Sequence, residues 1–123
     1  MSKRVLLIDD EDDIREVAAV SLEIVAQWTL FEARSGEEGV KRAAAEQPDA
    51  ILLDVMMPGM DGPTTLLRLR TQESTKHIPV IFLTAKVQAA EVRRFHELGA
   101  HGVIAKPFDP MLLASQISAI LKW

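Results

Sequence analysis

Five short apolar runs recur along the chain, each ending on a polar residue. They are "RVLLID" (Arg4–Asp9), "TLFEAR" (Thr29–Arg34), "AILLD" (Ala50–Asp54), "PVIFLT" (Pro79–Thr84) and "GVIAK" (Gly102–Lys106). Each is largely apolar without strict alternation, which reads as a strand buried on both faces. Segments with helical spacing fill the intervals. Ile14, Val17, Ala18, Ser21, Leu22 and Val25 share one face of the first. Ser35 and Glu38 are spaced for a capping box, so a second helix starts there and stops near Gln47, before Pro48. "VMMPGMDG" (Val55–Gly62) is a loop, and Pro63 to about Gln72 reads as a short helix. Lys86 to Leu98 reads as the fourth helix, with Gly99 as its stop. Asp109 can cap a last helix with Pro110 at its first position, buried through Leu113, Ile117, Ile120 and Leu121. Five βα units in this order predict an α/β fold, a doubly wound parallel sheet with helices on both faces. At 123 residues one domain, 1–123, accommodates them all.

Composition narrows the chemistry. Cysteine is absent, which excludes disulfides, thiolate metal sites and a Cys nucleophile. The apolar runs are too short to span a bilayer. The basic start "MSKRVLLIDD" meets acids after four apolar residues, unlike a signal peptide. These features predict a cytoplasmic protein with no membrane association. A net charge of −4 provides no broad basic footprint, so direct nucleic-acid binding is not expected.

In doubly wound sheets the functional crevice lies at the carboxyl ends of the strands. Here those ends carry Asp9 and Asp10, then Asp54, Thr84 and Lys106. Three converging carboxylates repel one another, and burial worsens the cost. A hard divalent cation relieves it. Mg²⁺ prefers oxygen ligands and commonly shares its shell with phosphate. A carboxylate can itself accept a phosphoryl group, and Asp54, on the strand expected to be central, is the candidate.

The motifs "IDD" (Ile8–Asp10), "LLDVMMPGMDG" (Leu52–Gly62), "FLTA" (Phe82–Ala85) and "AKPF" (Ala105–Phe108) occur in this order across nearly the whole chain. In that set the sequence resembles the receiver domain of response regulators. The resemblance implies a flavodoxin-like (βα)5 fold with strand order 2-1-3-4-5. It implies that Asp54 is the phosphoacceptor of a two-component, His–Asp phosphorelay. Asp10 and Asp54 would then ligate Mg²⁺ directly, Asp9 mainly through water, and Met56 through its backbone carbonyl. Lys106 would pair with Asp54 and later with the phosphoryl oxygens. Thr84 would move to report the phosphoryl group, and Lys106–Pro107 would be cis. The implied donor is a histidine kinase or a histidine phosphotransfer protein. The implied output is a protein contact at the face of the fourth helix, fifth strand and fifth helix. The implied activity is that of a switch that promotes its own phosphorylation and slow dephosphorylation, rather than of an enzyme.

The sequence departs from the family pattern at Val103, three residues before the lysine, where many receivers carry a switching aromatic. Met56 and Lys86 occupy positions that in the family tune phosphoryl lifetime, and apolar Met56 predicts slow self-dephosphorylation. The chain closes just after the fifth helix, which leads to the expectation of a stand-alone receiver. The alternatives are a receiver excised from a hybrid kinase or a DNA-binding regulator, or a Mg²⁺-dependent aspartyl-phosphate hydrolase. That hydrolase would want an acid where Met56 stands. A flavodoxin-like ligand binder would need a phosphate-cradling loop where "DDEDD" (Asp9–Asp13) stands.

Other residues carry plainer readings. Glu11, Asp12 and Asp13 are expected only to start a helix, where the dipole favours acids. Met57 and Met60 are read as packing and loop residues. His77, His96 and His101 lack ligand spacing, and Trp28 and Trp123 are read as packing contacts.

Overall fold

The computed structural model describes residues 2–123. All five expected strands form: β1 (Arg4–Ile8), β2 (Thr29–Ala33), β3 (Ala50–Asp54), β4 (Val80–Thr84) and β5 (Gly102–Ala105). They make one parallel sheet in the order 2-1-3-4-5. Val5 lies opposite Leu30 on one side and Ala50 on the other; Ile51 pairs with Val80 and Ile81 with Gly102. The chain runs outward from β1 to β2 and then returns to β3 on the opposite side. The carboxyl ends of β1 and β3 therefore flank the point where strand order reverses, and loops leaving them diverge to open a crevice.

Side-chain alternation divides the core into two layers. Leu6, Ile8, Ile51, Leu53 and Phe82 point to one face. There they pack on α2 (Gly36–Glu46) through Val40 and Ala43, on α3 (Gly62–Thr71) through Leu66 and Leu69, and on α4 (Ala89–Glu97) through Phe95. Val5, Leu7, Leu52, Ile81 and Leu83 face the other way. They meet α1 (Asp12–Ala19) at Ala18, its continuation at Leu22, and α5 (Leu113–Leu121) at Leu113 and Ile117. β3 and β4 are buried at every position, as their apolar sequences required.

Caps and turns decide where the helices begin. Ser35 caps α2 by accepting from the Glu38 N–H, and Glu38 reaches back to the Arg34 N–H. Asp61 caps α3 through the Thr64 N–H, with Pro63 in the first turn. Two helices start later than the sequence suggests. α4 begins at Ala89 rather than Lys86, because the Lys86 N–H is bonded to Thr84 Oγ1 in a turn that closes the strand end. α5 begins at Leu113. Asp109 does accept a backbone bond, but from the Met111 N–H, and this tight turn competes with helix.

The first helix also departs from expectation. After Ala19 it widens into a π-helical turn, Val20–Val25, with the Ala26 N–H bonded to the Ser21 carbonyl. That extra residue per turn rotates the face away from a uniform 3.6 spacing. Val17 and Val25, expected inside, are exposed, while Ser21 and Leu22 are buried. Ser21 donates its hydroxyl to the Pro110 carbonyl, tying this segment to the turn before α5. Trp28 and Trp123 meet edge-on, 5.5 Å between ring centres, as packing contacts. His77, His96 and His101 all lie at the surface.

Candidate functional site

Asp9 immediately follows β1 and is fully buried. Backbone bonds hold it there: its N–H donates to the Ala33 carbonyl, and its Oδ1 accepts from the Glu11 N–H at 2.9 Å. Arg15 donates to the Asp9 carbonyl at 2.8 Å. Asp54 ends β3 and is 4 % exposed. The chain beyond it is pinned by the Val55 N–H on the Leu83 carbonyl and the Gly62 N–H on the Val55 carbonyl. A Cβ at Gly62 would lie 2.6 Å from the Asp54 carbonyl oxygen. The absence of a side chain thus lets α3 begin against the strand end that carries the acid. Lys106 follows β5, its N–H on the Thr84 carbonyl, and the Lys106–Pro107 bond is cis.

These elements bring one ammonium among three carboxylates. Lys106 Nζ lies 2.8 Å from Asp9 Oδ2, 3.1 Å from Asp54 Oδ1 and 3.2 Å from Glu11 Oε1. Oxygens of Asp9, Glu11 and Asp54 all fall within 4.8 Å of one another. A cleft of about 190 Å³ opens above them, with Met56, Thr84 and Lys86 on its walls. Thr84 is 5 % exposed, and its hydroxyl accepts the Lys86 N–H at 3.0 Å.

The electrostatics are strained by burial. The Asp54 carboxyl is pushed up from 3.8 to about 6, first by burial and then by the negative charge of Asp9. Lys106 and the Met56 backbone N–H oppose this shift without cancelling it. Burial alone would lower the Lys106 ammonium, but the closely approaching carboxylates of Asp9 and Asp54 hold it above its ordinary value. Asp9 Oδ2 and Asp54 Oδ2 are both buried without a hydrogen-bond partner; the short Asp9–Lys106 approach is an ion pair out of hydrogen-bond alignment. Buried anionic oxygens without donors are costly. Hard oxygen donors in this state fit Mg²⁺, which would neutralise the charge and take the free lone pairs.

Of the residues singled out from sequence, Asp9, Asp54, Thr84, Lys106 and Met56 gather at this edge. Asp10 is exposed, and its carboxylate is not among the three that converge. Glu11, expected only to begin α1, is at the site instead: it occupies the cap position but makes no side-chain cap bond there. Arg15 was not anticipated. It is buried, paired with Asp12 and, at 3.4 Å, with Glu32 on β2. The Asp12–Arg15 spacing of three was the only local signal for it.

A buried acid pair and a lysine thus meet at the switch point of a 2-1-3-4-5 parallel sheet, the place where doubly wound α/β proteins carry their functional site. The model of the response regulator receiver domain matches residues 5–118, and the chain belongs to this family. It is 38 % identical to the phosphate regulon transcriptional regulatory protein PhoB of Pseudomonas aeruginosa over 99 % of its own length and 53 % of that protein's. The chain spans about half the length of the curated relatives it matches. Among solved structures, chemotaxis protein CheY4 of Vibrio cholerae superposes with a TM-score of 0.89 at 28 % identity, covering 98 % of this chain and 99 % of that one. The signal receiver domain of a signal transduction histidine kinase from Syntrophus aciditrophicus superposes at 0.83 with 32 % identity, covering 98 % and 91 %. The chain is thus a receiver domain of the two-component class, a signalling switch rather than a conventional enzyme. No helix among the described residues is long and apolar enough to cross a membrane.

Proposed function

We propose that Asp54 is the phosphoacceptor and that the chain takes a phosphoryl group from the phosphohistidine of a kinase or a phosphotransfer protein. The observation that supports this most is the Asp54 carboxylate itself. It is buried at the base of an open cleft, beside Lys106, with one oxygen unpartnered. An Asp54 oxygen forms the new bond to phosphorus as the bond from phosphorus to the donor's imidazole nitrogen breaks. The electron pair stays on that nitrogen, which takes up a proton. Charge in such a transition state spreads over the outer phosphoryl oxygens, so positioned positive charge is what catalysis needs. Lys106 supplies one such charge. Mg²⁺, when bound, would supply another; Asp10, Asp54 and the Met56 backbone carbonyl would hold it directly and Asp9 mainly through water. In this way the chain promotes its own phosphorylation.

The output follows from Thr84. Its hydroxyl is the acceptor that fixes the Lys86 N–H. Recruiting that hydroxyl to a phosphoryl oxygen weakens the turn that precedes α4. The α4–β5–α5 face then changes for a downstream protein. Val103 is half-buried on β5 and packs against the core layer that includes Phe82, so no ring switches there. The change is carried by Thr84 and the backbone before α4. Incubation with a small acyl phosphate and Mg²⁺, followed by intact mass measurement, tests the proposal. One added phosphoryl group is expected in the parent and none in Asp54→Ala; addition to both proteins would overturn it.

A further inference from the structure

An ammonium has three N–H bonds, and Lys106 Nζ has three carboxylates around it. Only the contact with Glu11 has hydrogen-bond alignment, at 3.2 Å. Asp9 Oδ2 and Asp54 Oδ2 meanwhile remain buried without hydrogen-bond partners. The directed bond therefore runs to the carboxylate at the mouth of the cleft and not to the buried acids below. Glu11 is suited to this place. Its backbone N–H is tied to Asp9 Oδ1, which fixes where the side chain starts. The side chain itself is 59 % exposed, so water can solvate it when it lets go.

We propose that Glu11 is a latch on Lys106: it holds the ammonium at the cleft mouth until an incoming phosphoryl group displaces it. The latch rests on the reading of Asp54 as phosphoacceptor. With three anions around it, Lys106 reaches a phosphoryl oxygen only by exchange. Asp9 is fully buried and anchored by backbone, so it stays. Asp54 bears the arriving group. Glu11 is the partner whose release costs least, because exposed ion pairs contribute little. Glu11 is thus a positioning residue: it acts on the reaction through Lys106, and it slows the reaction.

The test compares the parent, Glu11→Gln and Glu11→Asp as whole chains. Phosphorylation from a small acyl phosphate at saturating Mg²⁺ is followed by intact mass, and Mg²⁺ titration by thermal shift. Both variants should be phosphorylated roughly two- to fivefold faster, the span set by one weak ion pair. The Asp variant keeps the charge but is one methylene too short for the contact, so it separates the latch from charge alone. The titration midpoint should stay within about threefold, whereas loss of a groundwork residue of the metal site typically weakens binding tenfold or more. A Gln variant no faster than a phosphorylated parent, an Asp variant that behaves as the parent, or a tenfold weaker Mg²⁺ midpoint would each overturn the latch. A parent that accepts no phosphoryl group sinks the Asp54 reading first, and the latch falls with it.

Discussion

Asp54→Asn should make the protein more stable. In the folded chain the Asp54 carboxyl ionises near 6 against an ordinary 3.8, burial being the larger cause and Asp9 the second. The folded state therefore holds this proton more tightly than the unfolded state does. Below about pH 3.8 both states are protonated and there is no penalty. As pH rises toward 6 the unfolded state ionises first, so stability falls by at most about 1.4 kcal/mol per pH unit. Above pH 6 the whole penalty is present, with a ceiling of about 3 kcal/mol. Asparagine has nearly the same shape and no charge, and Lys106 keeps Asp9 and Glu11 as partners. Urea unfolding, followed by far-ultraviolet circular dichroism with a chelator present, should show the variant up to about 3 kcal/mol more stable at pH 7.5. The difference should shrink steadily as pH falls from 6 to 4. A variant no more stable than the parent at pH 7.5, or a gain that ignores pH, would refute the reasoning.

Other expectations follow from the same geometry. Mg²⁺ should raise the unfolding temperature of the parent, because a cation that binds only the folded site stabilises it by mass action, and Asp54→Asn should lose most of that rise. Gly62→Ala should destabilise by roughly 1–3 kcal/mol in urea unfolding, since the new Cβ would press on the Asp54 carbonyl at 2.6 Å and the Val55 Cα at 2.7 Å. Unchanged stability would mean that α3 can move away from β3 freely. Met56 is 73 % exposed on the cleft wall, and its thioether orients water poorly. Met56→Asn should therefore speed phosphoryl loss, by up to about tenfold if the amide makes one good hydrogen bond to the attacking water. An unchanged half-life would remove Met56 as the cause of slow loss.

The strands were legible because parallel strands are buried on both faces, and short apolar runs such as "AILLD", set between turn and helix signals, match that pattern. Once the sheet was assigned, the strand-end residues Asp9, Asp54, Thr84 and Lys106 had to meet at one edge. What escaped was decided by contacts distant in sequence or by competing local bonds. Glu11 read as a helix start because acids favour that place, yet its partner is Lys106, 95 residues away. Arg15 is buried only because Glu32 on β2 and the Asp9 carbonyl receive it. α4 and α5 begin late because Thr84 and Asp109 accept N–H bonds in turns before the helices start. The exposure of Val25 follows from a π turn, which periodicity at 3.6 does not anticipate. Asp10 remains the case where family resemblance and placement diverge. Asp10 is exposed and outside the converging three, which Glu11 joins instead.

The phosphoryl group should reside on Asp54, and the chemistry of an aspartyl phosphate allows a direct measurement. An acyl phosphate on an aspartate is reduced by borohydride to homoserine, while phosphate esters of serine and threonine are not. The protein is phosphorylated with Mg²⁺ present, reduced and digested, and the peptides are sequenced by tandem mass spectrometry. Homoserine at position 54 and at no other aspartate is the predicted result. Homoserine at position 9 or 10, or a phosphoryl group that resists reduction, would contradict it.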